Sequence, residues 1–222
     1  MSELLIRGHL GLGDHLICNA IYREYAKRFD SVVVLVKTHN NPSVSFMLRD
    51  VINIETFSVA NDTEADQCVI ASKAAGFEIL KLGMFSELPF DFQAWDRSFY
   101  KQAGIDHQQR WNGFVVPRQP SRELDVPDEP YCLIHDDPSR DCHINHQLLP
   151  DLPILRVEPI DGCTLFDYWG LMESATELHF MESSPAILVD SLPLVKARRR
   201  VMHFYCRTGV PPKYQTSWEV IP

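Results

Sequence analysis

The sequence predicts an α/β chain made of two Rossmann-like β/α/β halves. Three observations carry that expectation. A short apolar run, Leu4–Ile6, ends in a glycine loop and feeds an amphipathic stretch. A second run, Ser31–Val36, is apolar throughout, which suits a parallel strand covered on both faces. After a proline-rich stretch the pattern begins again at Tyr131–Ile134.

The 222 residues suffice for one large domain or two small ones, each with its own core. A net charge of -9 argues against a nucleic-acid partner, whose binders are usually basic. No apolar run approaches the roughly 20 residues of a membrane helix. Glu3 and Arg7 bracket too short an apolar run for a signal peptide. The six cysteines, at 18, 68, 132, 142, 163 and 206, include no CxxC pair. They read as buried free thiols of a reducing cytosol, and the expected location is cytoplasmic.

In the first half, Leu4–Ile6 is the first strand. Gly8, Gly11 and Gly13 form the loop after it, and a helix is expected from Leu16 to Phe29 with Asp14 near its start. A strand, a glycine loop and a helix place free backbone N–H groups at one spot, which attracts anions. Asp14 would stand at the mouth of that crevice with an exposed carboxylate, the candidate catalytic group; as a plain helix cap it would be equally at home. His15 either helps hold a phosphate or acceptor, or lies on the helix surface, and His9 is similar. Ser31–Val36 is the second strand, ended by Lys37. A nicotinamide dinucleotide site would have an acid there and a glycine where Leu16 stands, so a dehydrogenase is disfavoured. A helix over 43–50, a strand over 52–55, a helix over 68–75 and a strand over 78–82 follow. The aromatic stretch from Phe90 to Ala103 reads as a helix whose rings pack the core in preference to a substrate wall.

Residues 111–130 hold Pro117, Pro120, Pro127 and Pro130, a linker signature. The expected division is 1–125 and 126–222. The second half offers strands at 131–134, 155–157, 177–181 and 201–205, and helices at 163–176 and 186–194. Ser183 or Ser184 would cap the last helix and Pro185 fits its first turn. Lys196 and Arg198–Arg200 would fall at that helix's end, where positive charge suits the dipole. Tyr214 and Trp218 would anchor the tail. Ligands in such sheets bind beyond the carboxyl ends of strands. The polar loops 8–15, 135–145 and 182–185 all sit there, and would converge on one cleft if the halves face each other. The loop His135–His146 also holds enough His and Asp side chains for a metal site, as in a metal-dependent hydrolase, although its spacing matches no metal motif.

The order of elements, with Gly11-Leu-Gly-Asp14 after the first strand, resembles the GT-B glycosyltransferases, most nearly the lipopolysaccharide heptosyltransferase-like group. The resemblance implies a compact GT-B fold, with two Rossmann-like halves facing across a cleft. It implies an inverting, metal-independent transferase with no cofactor, using a nucleotide-diphosphate sugar donor and a glycan or glycolipid acceptor. Asp14 would be the general base on the acceptor hydroxyl, beside the Gly11, Gly13 and His15 loop. The C-terminal half would bind the donor: Arg140 matches the family's basic residue after the strand, Ser183 and Ser184 its diphosphate-holding helix start, and His135 and Glu182 flank them. The last loop reads Glu182-Ser-Ser-Pro185 where the family commonly has an Asp-Thr-Gly-type motif. A non-catalytic nucleotide-sugar-binding module is the other alternative.

Overall fold

The computed structural model describes residues 2–137, 140–206 and 209–222. The chain forms two compact units, Met1–Pro117 and Arg118–Pro222. The division falls ahead of the 125/126 expected from the prolines.

In the first unit, β1 (Glu3–Arg7) is flanked by β2 (Ser31–Lys37) on one side and β4 (Glu78–Lys81) on the other, and β3 (Ile54–Val59) forms the far edge. All pairings are parallel, with Leu4 opposite both Val32 and Glu78. The central position of β1 explains its apolar run: Leu4, Leu5 and Ile6 are buried on both faces. The expected helix over 16–29 is two helices, α1 (Leu12–Ile17) and α2 (Asn19–Ala26), which meet at Cys18. The Asn19 side chain donates to the Val115 carbonyl and accepts from the Val115 N–H, which ties the start of α2 to the end of the unit.

α3 (Asn41–Leu48) and α4 (Asp62–Ala74) cross over between strands. α4 starts six residues before the expected 68, because Asn61 caps it: its side chain accepts from the Glu64 N–H, and Glu64 accepts from Ala60. α5 (Trp95–Gln102) and α6 (Gln109–Asn112) close the unit. α5 starts later than Phe90, since Asp91 caps a separate short turn at 92–94.

The second unit has five parallel strands in the order β6 (Ile154–Arg156), β5 (Cys132–His135), β7 (Glu177–Met181), β8 (Arg199–His203), β9 (Glu219–Ile221). α7 (Trp169–Ser174) follows a tight turn that Thr164 and Asp167 cap reciprocally, and α8 (Ser184–Ser191) follows β7. β9 was not foreseen; the tail joins the sheet, with Trp218 against Phe180 and Tyr214. The Asp190 carboxylate accepts the Gln215 and Thr216 N–H groups and holds the tail down.

Two expectations need correction. Arg199 and Arg200 do not end a helix: α8 stops at Ser191, and both arginines open β8, where Arg199 pairs with Glu219 of β9 at 2.7 Å. Nor are all six cysteines thiols. Cys142 and Cys206 form a disulfide, and Cys18, Cys68, Cys132 and Cys163 are free. The pair is separated by 64 residues, a distance at which sequence spacing gives no signal. Among the described residues no helix is long and apolar enough to cross a membrane.

Both sheets reverse direction beside their first strand, between β1 and β4 in the first unit and between β5 and β7 in the second. Such switch points leave a crevice at the carboxyl ends of the strands. The bridge gives a direct test. Thiol titration of unfolded, unreduced protein is expected to find four thiols, rising to six after reduction. Cys142→Ala should lower stability by about 2–4 kcal/mol, as loss of a long loop closure does. Six thiols before reduction would show that the bridge is not formed.

Candidate active site

The loop leaving β1 carries the first set of residues. Asp14 is the third residue of α1, not its cap; Gly11 occupies the cap position and offers no side chain. The Asp14 carboxylate bends back over Gly11: a Cβ at residue 11 would lie 2.5 Å from Asp14 Oδ2. A side chain there would push the carboxylate aside, a shift that its flexible end can make, so the glycine sets where the carboxylate rests. The Asp14 side chain remains 22% exposed. Its other oxygen, Oδ1, lies 3.6 Å from His9 Nδ1. Gly13 sits on α1 between them, half-buried.

Beneath Asp14 the groups are held neutral. His15 is buried, with Nδ1 2.9 Å from the Tyr22 hydroxyl and Nε2 without a partner among the described residues. The expectation that it might lie on the helix surface is therefore wrong. Burial pushes its pKa down to about 4, against the opposing pull of the Asp14 charge. Burial likewise pushes the Cys18 thiol and the Tyr22 phenol well above their ordinary values. The Tyr100 hydroxyl donates to the Ile17 carbonyl at 2.7 Å and ties α5 to the end of α1. Asp14 thus stands over buried groups whose charged forms burial disfavours.

The second set lies at the switch point of the second unit. His135 ends β5 and Ser183 follows β7, and Ser183 Oγ is 3.0 Å from His135 Nδ1. The same hydroxyl donates to the Met181 carbonyl at 2.9 Å. Its single proton spent there, it accepts from His135 Nδ1–H. Ser183 is the cap residue of α8, but its side chain makes no cap bond, so the amides at the start of α8 have no side-chain acceptor at that position. Ser184 is the first helical residue, half-buried, and Glu182 is buried beside it. The structure therefore brings together His135 and Ser183, with Ser184 and Glu182 as chain neighbours. The Arg140 guanidinium is 2.5 Å from Asp137 Oδ2.

The acids of the rival metal loop are engaged with other partners. Asp136 is engaged by Arg156 at 2.5 Å and by the Ile144 N–H, Asp137 by Arg140, and Cys142 by its disulfide. Among the described residues no three His, Cys, Asp or Glu side chains gather as metal ligands. Pro138 and Ser139, inside this loop, lie outside the described residues.

No family model and no curated protein matches the sequence. Solved structures do. The chain matches the glycosyl transferase family 9 structure from Veillonella parvula with a TM-score of 0.60 at 10% identity, over 99% of this chain and 86% of that one. The two share a fold. A second match is the iron-containing dodecameric glycosyltransferase TibC from enterotoxigenic E. coli, with a TM-score of 0.56 at 13% identity, over 91% of this chain. This chain spans 58% of the length of TibC. The two units, each with a parallel sheet, agree with the α/β organisation read from the sequence.

Gly83 was missed by sequence reading. It follows β4 at φ +71°, and a Cβ there would lie 2.3 Å from His9 Nε2 and 2.8 Å from Phe99 Cε1. Only the fold shows that residues 9 and 83 meet, although a Gly after a short strand is a turn signal. Gly83→Ala should cost about 2 kcal/mol or more in urea unfolding, from left-handed strain plus collision. An unchanged midpoint would contradict the contact.

Two buried histidines predict acid sensitivity. His203 is buried against His179, Nε2 to Nδ1 3.1 Å, and burial followed by that neighbour pushes its pKa down to about 4. His15 is lowered similarly. Both stay neutral in the folded chain yet take a proton near pH 6.5 when unfolded, so the unfolded state binds more protons between those values. Stability should be intact above about pH 6.5 and fall as pH drops toward 4, by on the order of 2 kcal/mol per histidine at pH 5. In paired unfolding curves at pH 7.5 and 5, His203→Gln should lose less than the parent; an equal loss would reject the assignment.

Proposed function

We propose that the chain is an inverting glycosyltransferase that moves a sugar from a nucleotide-diphosphate donor to a glycan or glycolipid hydroxyl. The observation that carries the reading is Asp14: a part-exposed carboxylate beyond the central strand of the first unit, held above neutral groups. A sugar hydroxyl is a weak nucleophile, and a positioned carboxylate can take its proton as attack begins. The acceptor oxygen then bonds to the anomeric carbon, and the bond to the nucleoside diphosphate breaks. Attack from the opposite face inverts the configuration. The glycosyltransferase fold supports the reading.

In this proposal the first unit holds the acceptor beside Gly11 and Gly13, with His15 buried beneath them, and the second binds the donor. The leaving diphosphate gathers charge, which calls for donors fixed in advance. The amides at the start of α8, with Ser183 and Ser184, meet that need. His135 orients the Ser183 hydroxyl, and Glu182 accepts from ribose hydroxyls. Arg140, paired with Asp137 through Nη1, would serve the diphosphate with its remaining N–H groups.

The test begins with a melting panel of nucleoside diphosphates and UDP-, GDP-, ADP- and dTDP-glucose, with and without EDTA. Selective stabilisation by one base, unaffected by EDTA, is expected. Asp14→Asn should then keep that stabilisation but lose about 100-fold or more in transfer. Stabilisation with parental turnover in Asp14→Asn would remove the base role. No response to any nucleotide would overturn the donor site.

A further inference from the structure

We infer that His9 is a positioning residue for Asp14, acting as a neutral Nδ1–H donor that fixes which carboxylate oxygen faces the acceptor. This rests on the reading of Asp14 as the base. Four features of the site support it. First, the ring is caged: Phe85 and Phe99 meet it edge-on at 5.4 and 5.1 Å between centroids, and Phe90 lies at 5.8 Å. Second, Gly83 leaves room for the ring edge that any Cβ would strike. Third, the Met84 N–H donates to His9 Nε2 at 3.3 Å. A ring nitrogen that accepts carries no proton, so the neutral ring holds its proton on Nδ1. Fourth, Nδ1 faces Asp14 Oδ1 at 3.6 Å, while Oδ2 lies over Gly11.

These features divide the carboxylate. Oδ1 lies toward the Nδ1 edge of the ring at 3.6 Å, longer than a hydrogen bond, and a closer approach lets it accept from Nδ1–H, a proton it cannot remove from a neutral imidazole. Oδ2 is the oxygen left to take the proton of an acceptor hydroxyl. The arrangement is assembled across the switch point: His9 comes from the loop after β1, and Met84 and the cage from the chain after β4. A second group that orients the base is the general device by which catalytic carboxylates and histidines are held.

Two readouts test this. The imidazole ¹⁵N shifts of labelled protein at pH 8 report the tautomer without any substrate. His9 is expected as the Nδ1–H form; the Nε2–H form, which can present no proton to Asp14, would overturn the inference. The second readout is nucleoside diphosphate release from the nucleotide sugar of the glucose panel that stabilises the protein. His9→Gln keeps an acceptor near Nε2 but no donor at Nδ1, whereas His9→Asn keeps a donor at Nδ1. His9→Gln should lose kcat by about 10- to 100-fold with little change in KM, and His9→Asn should retain most of it, as expected for lost alignment of a reacting group. Equal kcat in the parent and His9→Gln, with Asp14→Asn inactive, would sink this inference alone. Full turnover in Asp14→Asn would sink the base reading beneath it. Should no nucleotide sugar be turned over, the base reading fails and the tautomer still decides how His9 is held.

Discussion

A buried charge governs the geometry at the end of β1. Arg7, the last residue of that strand, is fully buried. Taking a guanidinium out of water costs several kcal/mol unless its protons find acceptors. Here they do: Asp62 at 2.8 Å and Asp66 at 3.2 Å on one face of α4, and the carbonyl of Gly8. Asp62 and Asp66 are four residues apart, so one helical turn presents both. The guanidinium also lies 3.6 Å from the centroid of the Phe85 ring. One side chain therefore fixes the exit of β1, the approach of α4 and the turn after β4. His9 follows two residues later, and Phe85 forms part of its cage. Arg7 thus touches both the chain that leads to His9 and the ring that packs on it.

The two units use the same topological device for different chemistry. Each sheet reverses beside its first strand, and each crevice receives one loop from either side of the reversal. In the first unit the loops deliver a carboxylate, an imidazole and apolar rings, with neutral buried groups below. In the second they deliver the His135–Ser183 pair and the start of α8, whose cap residue has turned its hydroxyl elsewhere. The first set suits removal of a proton, and the second suits an anion. Similar strand orders in the two units thus present different polar groups because the loops, not the sheets, carry them.

Much of this was legible in the sequence. Continuous apolar runs marked the central strands β1, β2 and β5, because strands covered on both faces have no polar side to blur the pattern. Ser183 and Pro185 marked the start of α8 through capping chemistry, which acts within one turn. Asp14, His135 and Ser183 could be singled out from loops at strand ends. Elements with one exposed face were read less well: β3 was placed early, β9 was not seen, and Arg199 and Arg200 were given to a helix when they open a strand. Charged residues at a strand's edge carry the same local signal as those at a helix end, and only the pairing with Glu219 separates the two.

By itself the sequence determined the α/β class, the twofold repetition of β/α units and the local position of the candidate base. These follow from hydrophobic period and from turn and cap chemistry, which reach only a few residues along the chain. The tertiary structure decided what is built from distant residues: the bond between Cys142 and Cys206, the neutral floor of His15, Cys18 and Tyr22 under Asp14, and the meeting of His9 with Gly83 and Met84. Such contacts join residues tens of positions apart, and their energy comes from burial and hydrogen-bond geometry that exist only once the strands have paired.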